Sequence, residues 1–192
     1  MKKKHGILLK TLILLVLLTV CVGLFLRYGY EKVEKAFYPT DYEEEVSKMA
    51  KETGLSKALI FAVIRTESGF EADAQSGAGA IGLMQLLPDS FDWIQRVEEG
   101  EELYSHDALF DPAVNIRYGC LTLKYMMDRF DGDETAAIAA YTAGPGNVDR
   151  WLEDERYSSD GKTLSEIPFS ETKHYVSKVL SAKEKYETLY QF

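Results

Sequence analysis

The sequence predicts a mainly α-helical domain preceded by a single apolar N-terminal helix. Three observations carry that expectation. Apolar residues in the body recur at helical spacing, and no period-2 alternation is long enough for a strand. Residues 7–26 form one nearly charge-free stretch. Charge also divides the chain: residues 1–27 hold five cations and no acid, which leaves −14 on residues 28–192 against a net −9 overall.

The apolar segment Ile7–Leu26 is 20 residues long, with Lys10 its one charge. At ~1.5 Å per residue it reaches ~30 Å, about one bilayer core. It is apolar on every side, unlike a helix lying on a soluble core. Lys2, Lys3 and Lys4 precede it, which predicts a cytoplasmic N-terminus and a body outside the cytoplasm. A cleaved signal peptide and a lipid anchor are the competing readings. No small-x-small site follows the run, which ends Phe25-Leu26-Arg27-Tyr28, and Cys21 follows Val20 rather than a small residue. The expected organisation is therefore an anchor over 1–27, a charged connector over 28–42 and a folded domain over 43–190.

Within the body, Asp41 is the expected cap of a helix running to about Lys51, stopped by Gly54. Ser56 caps Lys57–Ser68, whose run Ala58–Ile64 is apolar on most sides and so central. Residues 71–88 are rich in Gly, Ala and Ser. A long amphipathic helix spans Pro112–Phe130, with Val114, Tyr118, Leu121, Tyr125 and Met126 at helical spacing. A short Ala-rich helix, Glu134–Tyr141, stops at Gly144-Pro145-Gly146. Residues 154–166 read as a polar surface loop, and Ser170 opens a last helix that continues past Tyr186.

Several function classes are disfavoured. An acidic body is a poor partner for nucleic acid. The three histidines, His5, His106 and His174, form no ligand-spaced pair, so no metal is expected. Gly77-Ala78-Gly79-Ala80-Ile81-Gly82 lacks Walker or dinucleotide spacing and follows no strand, so no phosphate-bearing cofactor is expected. Cys21 and Cys120 lie in the anchor and in a helix, which makes a disulfide between them implausible.

One carboxylate is placed for chemistry. Glu67 lies three, four and seven residues after Ile64, Val63 and Ile60, on the buried stripe of its helix. Burial and the negative end of the helix dipole both favour its protonated form. A carboxylic acid kept neutral near pH 7 is what a general acid requires. A Glu that reaches water at a helix end would look the same in sequence.

Four ordered motifs narrow the choice. They are Glu67-Ser68-Gly69-Phe70 with Gly79-Ala80-x-Gly82-Leu83-Met84-Gln85-x-x-Pro88; Phe110-Asp111-Pro112 with Asn115-Ile116-x-x-Gly119; Ala140-Tyr141-Thr142-Ala143-Gly144; and Glu171-Thr172-Lys173-x-Tyr175-Val176. Over about 45–188 the chain resembles the lytic transglycosylases related to the soluble (SLT) type. That resemblance implies a lysozyme-like helical domain and cleavage of the β-1,4 bond between N-acetylmuramic acid and N-acetylglucosamine in peptidoglycan. It implies 1,6-anhydromuramic ends, with Glu67 first as acid and then as base on the muramic C6 hydroxyl. An ordinary glycosidase needs a second carboxylate; here the attacking group belongs to the substrate, and Glu71 and Asp73 read as solvated loop residues.

By the same resemblance Ser68, Met84, Gln85, Tyr141, Thr142 and Tyr175 contact the substrate. Ser68 would orient the carboxyl, Gln85 would offer its amide to an N-acetyl group, and Met84 would form an apolar wall, although taken alone Met84 reads more readily as plain core. Tyr141 and Tyr175 bring rings for stacking and hydroxyls within reach of Glu67. Asn115 and Pro112 read as structural. Thr142 and Lys173 depart from the family's Asn and Arg, losing an amide and a bidentate fork. A hydrolytic muramidase of the same fold and a non-catalytic glycan-binding module remain the alternatives. The expected location is the cell membrane, single-pass, with the domain facing the wall and peptidoglycan as partner.

Overall fold

The computed structural model describes residues 2–192, which fall into two units, one ending at Pro39 and one over Thr40–Phe192. The side chains of residues 2–9 and of Thr11 lie outside the description, and with them the expected Lys2, Lys3 and Lys4 cluster.

The first unit is one helix, α1 (Lys2–Phe37), of 36 residues. It continues through most of the segment expected as a connector. Leu12, Leu17 and Leu18 lie on different sides of it and are all exposed. Among the described residues this is the one helix long and apolar enough to cross a membrane, over Leu12–Phe37.

The second unit is helical, with α2 (Glu43–Thr53), α3 (Lys57–Glu67), α4 (Pro88–Glu99), α5 (Pro112–Arg129), α6 (Glu134–Ala143), α7 (Pro145–Leu152) and α8 (Ser170–Tyr190). A 3₁₀ turn, His106–Phe110, precedes α5. Helix α3 is the hub. Every residue from Ala58 to Ile64 is buried, and the helix packs most extensively on α8. Phe61 of α3 stacks on Tyr186 of α8 at 5.4 Å between ring centroids. Helix α5 packs on α2, α4 and α6, and α6 in turn on α7 and α8.

Local chemistry explains the boundaries. The Ser56 side chain accepts from the Leu59 N–H at the start of α3. The Asp111 carboxylate accepts from the Ala113 and Val114 N–H groups at the start of α5. Gly54 ends α2 with φ +76°, a conformation that favours glycine. Asp41 is not the cap of α2: the helix begins at Glu43 behind Tyr42, which is left-handed at φ 63° and makes no side-chain cap bond. Three acids, Glu43, Glu44 and Glu45, instead complement the helix dipole in the first turn.

Two elements go beyond the sequence reading. Helix α4 was not expected, and Pro145 starts α7 where a stop was expected. Proline at the first helical position has no N–H to lose and a φ already suited to a helix, so Gly144-Pro145 ends α6 and launches α7. No strand occurs among the described residues; two isolated antiparallel bridges, Gln75–Ile81 and Ile81–Leu86, fold the small-residue segment into a compact loop.

That loop is clamped from α5. Asn115 is fully buried, and its side chain makes three bonds. Its Oδ1 accepts from the Met84 N–H at 2.8 Å, and its Nδ2 donates to the carbonyls of Ile81 at 2.9 Å and Leu109 at 2.8 Å. Two glycines permit this approach. A Cβ on Gly82 would stand 2.2 Å from Asn115 Nδ2 and 2.4 Å from the Leu109 carbonyl oxygen. A Cβ on Gly119 would stand 2.4 Å from Met84 Sδ. The glycines let α5 and the loop close to a distance no other residue allows.

Candidate active site

Glu67 is the last residue of α3, and its position follows from the packing just described. The buried stripe of α3 carries it into the interior, so it is half-buried at the helix end. The α3–α8 contact brings Tyr175 against it, and the Tyr175 hydroxyl donates to Glu67 Oε1 at 2.6 Å. Burial pushes the Glu67 carboxyl up to about 7, partly opposed by the Tyr175 hydrogen bond. Tyr175 and Tyr141 both have phenol groups raised well above the usual range, first by burial and then by the nearby Glu67 charge. They therefore stay protonated and act as donors. Glu71 and Asp73 are exposed on the loop beyond the helix.

The loop after α3 is bound to the same helix end. Ser68 Oγ lies 2.9 Å from the Leu83 carbonyl oxygen and 3.2 Å from that of Ile64, and it accepts from the Phe70 N–H. The Tyr141 hydroxyl donates to the Met84 carbonyl at 2.8 Å. Ser68, the 74–86 loop, Tyr141 and Tyr175 are thus assembled around one carboxyl, largely by hydrogen bonds to backbone.

Several expected roles change. Met84 is fully buried beneath Gly119, with its sulfur 4.0 Å from Cys120 Sγ, so its side chain is core and not an exposed wall. The Gln85 amide nitrogen donates to the carbonyls of Ala74 and Gly82 at 3.1 and 3.0 Å. It holds the loop closed, and Gln85 itself adopts φ +49°. The hydroxyl of Tyr141 reaches the Met84 carbonyl and that of Tyr175 reaches Glu67, so the two tyrosines divide the work expected of both. Thr142 is exposed. Lys173 pairs with Glu166 at 2.7 Å on the surface, which places the Arg-to-Lys departure in an exposed ion pair of small value. The clamp by Asn115 was legible only as a structural position at a helix start; nothing local in sequence identifies its three partners.

Residues 44–164 match the family described as "Transglycosylase SLT domain". A soluble lytic murein transglycosylase of Salmonella typhimurium is 31% identical over 153 residues, covering 79% of this chain and 24% of that protein. A membrane-bound lytic murein transglycosylase C of Serratia proteamaculans is 32% identical over 167 residues, 76% of this chain and 46% of that protein. The X-ray structure of an inactive mutant of the lytic transglycosylase Slt from Pseudomonas aeruginosa has a TM-score of 0.69 at 39% identity, covering 79% of this chain and 24% of that one. This chain therefore spans about a quarter of the length of its soluble relatives. The family match contains Glu67, the clamped loop, Asn115 and Tyr141, and Tyr175 lies just beyond it. By this match, over more than half its length, the chain belongs to the transglycosylase SLT domain family.

Proposed function

We propose that this protein is a membrane-anchored peptidoglycan lytic transglycosylase with Glu67 as its catalytic group. The observation that supports this best is the half-buried Glu67 carboxyl, raised to about 7 and held by Tyr175 at the end of α3. Near neutral pH a large fraction of it is protonated, which suits an acid that must also become a base.

In the first half of the reaction Glu67 gives its proton to the oxygen bridging muramic acid to N-acetylglucosamine. The C1–O bond breaks and positive charge builds at C1. The Glu67 carboxylate then takes the proton of the muramic C6 hydroxyl as that oxygen bonds to C1. Glu67 returns to its acid form, no water enters, and the product end is a 1,6-anhydro ring. Tyr175 positions the carboxyl; Ser68 and Gln85 hold the loop beside it, and the Tyr141 and Thr142 segment supplies the adjacent wall. The proposed organisation keeps residues 1–27 as a single-pass anchor with a cytoplasmic N-terminus, and 43–190 as the catalytic domain facing the wall.

Incubating the full chain in detergent micelles with purified peptidoglycan tests the reading. Mass spectrometry is expected to find anhydro-ended fragments, lighter by one water than hydrolysis products. Reducing ends alone would make the protein a hydrolytic muramidase. Sedimentation with peptidoglycan and no released fragment would make it a binding module.

Activity is expected to fall roughly tenfold per pH unit above about 7, as the acid form of Glu67 is lost. Tyr175→Phe removes a bond that favours the ionised carboxyl. That alkaline limb is therefore expected to move to higher pH in Tyr175→Phe, as read from a rate–pH profile. A limb that stays in place or moves down would separate Tyr175 from the carboxyl's titration.

A further inference from the structure

A cavity of about 330 Å³ lies between α2, the start of α5 and the segment that joins α4 to the 3₁₀ turn. Its floor is apolar: Met49 and Tyr118 are buried there, and Tyr104 stands beside them. Glu44, Glu45 and Lys48 of α2 line it as well. None of the residues assembled around Glu67 lines it. We propose that this cavity is a docking site for a protein partner and takes a long cationic side chain from a basic segment of that partner. This goes beyond the reaction proposed above and does not depend on it.

The aromatic wall is fixed in advance. Tyr104 is exposed on a loop, yet the fully buried Gln95 amide of α4 is devoted to it. Gln95 Nε2 donates to the Tyr104 carbonyl at 3.1 Å, and Gln95 Oε1 accepts from the Tyr104 N–H at 2.7 Å. The Tyr104 ring then meets the Tyr118 ring edge-on, with centroids 6.0 Å apart. Arg117 lies over Tyr118 at 5.8 Å and is braced by Glu99 at 3.0 Å and Glu52 at 3.4 Å. Apolar surface and rings of this kind take the methylene stem of a lysine, and the ring faces attract its ammonium. The volume is close to the ~300 Å³ at which ligand pockets begin, which suits one side chain.

The charge is complementary to a cation. Arg117 is already matched by Glu52 and Glu99, which leaves Glu44 and Glu45 against Lys48 at the rim. Glu44 and Glu45 also outweigh the roughly half positive charge of the α2 N-terminus. A cation arriving here therefore meets net negative charge. The acidic and apolar surface continues past the cavity: Glu101 and Glu102 precede Leu103, and all three are exposed beside Tyr104. A single small amine would leave that strip uncovered. A polypeptide segment with basic residues around an apolar one covers both the cavity and the strip, and this is why the occupant is a protein.

The test is titration calorimetry of the full chain in neutral detergent micelles. The probe is a capped synthetic peptide of three lysines around one leucine, beside the same peptide with its lysine amines acetylated. Saturable binding of one peptide per chain is expected, and acetylation is expected to abolish it. The double variant Glu44→Gln, Glu45→Gln is expected to weaken binding about tenfold or more. Ala113→Leu keeps every charge but fills the cavity, because Ala113 is one of its lining residues. It is expected to weaken binding about tenfold as well. The control is Glu153→Gln with Glu155→Gln, two exposed acids that do not line the cavity. It removes the same charge and is expected to change binding by less than about twofold. Thermal melts verify that each variant is folded.

Absence of binding overturns the proposal, as does equal binding of the acetylated peptide. An equal loss in the two double variants reduces the effect to attraction by an acidic body and overturns it too. Unchanged binding in Ala113→Leu takes the peptide out of the cavity, with the same consequence. Tighter binding of a free wall peptide or a glycan strand at these residues makes the cavity a wall-ligand site and not a protein dock. Should the Glu44 and Glu45 variant fail to fold, acetylation and Ala113→Leu still decide the matter.

Discussion

Glu67→Gln is expected to lower the rate of glycan cleavage by about 10³-fold, within the range for loss of a general acid–base. The same substitution is expected to stabilise the fold at alkaline pH, and the two effects share one cause. The folded carboxyl titrates at about 7 against an ordinary 4.5 because burial opposes its charge. The folded state thus binds the proton more tightly than the unfolded state. Stability falls as pH rises from about 4.5 through 7, and the penalty is complete above that. It amounts to about 3 kcal/mol at most, less whatever burying the new amide costs. Thermal melts of wild type and Glu67→Gln should lie close together near pH 4, separate between about 4.5 and 7 and stay apart above that, with the variant the more stable. A residual rate within tenfold of wild type would remove Glu67 from its role. Melts that remain parallel at every pH would mean that the carboxyl is not perturbed in the folded state.

Asn115→Ala is expected to be the most damaging single change to the fold. It leaves the Met84 N–H without its partner and removes the side-chain donor to the Leu109 carbonyl, both in the interior, while the Ile81 carbonyl loses one donor and keeps the Leu86 N–H. Each buried group left unpaired costs ~1–3 kcal/mol, so the total is about 3–5 kcal/mol with partial relaxation. Against a typical stability of ~5–15 kcal/mol this is a large fraction. A fall in Tm of roughly 10–15 °C is expected for a domain of this size. Asn115→Asp separates the two halves of the clamp. It keeps the acceptor for Met84 but turns a charge toward two carbonyl oxygens, so it should be worse than Ala at pH 7 and recover on acidification. Water filling the site would reduce the loss in Asn115→Ala to under ~1 kcal/mol and end the argument for a clamp.

How much of this was legible in sequence varies by element. Helices α3, α5, α6 and α8 carry long apolar stripes and recognisable ends, and each appears close to its expected span. Helix α4 was missed because its buried face is only Phe91, Ile94 and Gln95 among charged neighbours. Helix α7 was missed because Gly144-Pro145-Gly146 reads as a break, although Pro145 begins a helix as readily as it ends one. Among site residues, Glu67 was legible because its spacing from Ile60, Val63 and Ile64 is a property of one helix. The surroundings of Met84 and Gln85 were not legible because they come from elsewhere in the chain: Gly119 covers Met84, and the carbonyls of Ala74 and Gly82 engage the Gln85 amide nitrogen.

The sequence by itself determined a helical domain behind an apolar segment and one carboxyl on a buried stripe, because helix periodicity and hydropathy are local properties of the chain. Only the tertiary structure decided what surrounds that carboxyl. Tyr175 lies 108 positions away from Glu67 and Asn115 lies 31 from Met84, so neither pairing leaves a local signal. Each arises from helices packing at close range, and the titration of Glu67 depends on the burial and the hydroxyl that this packing supplies.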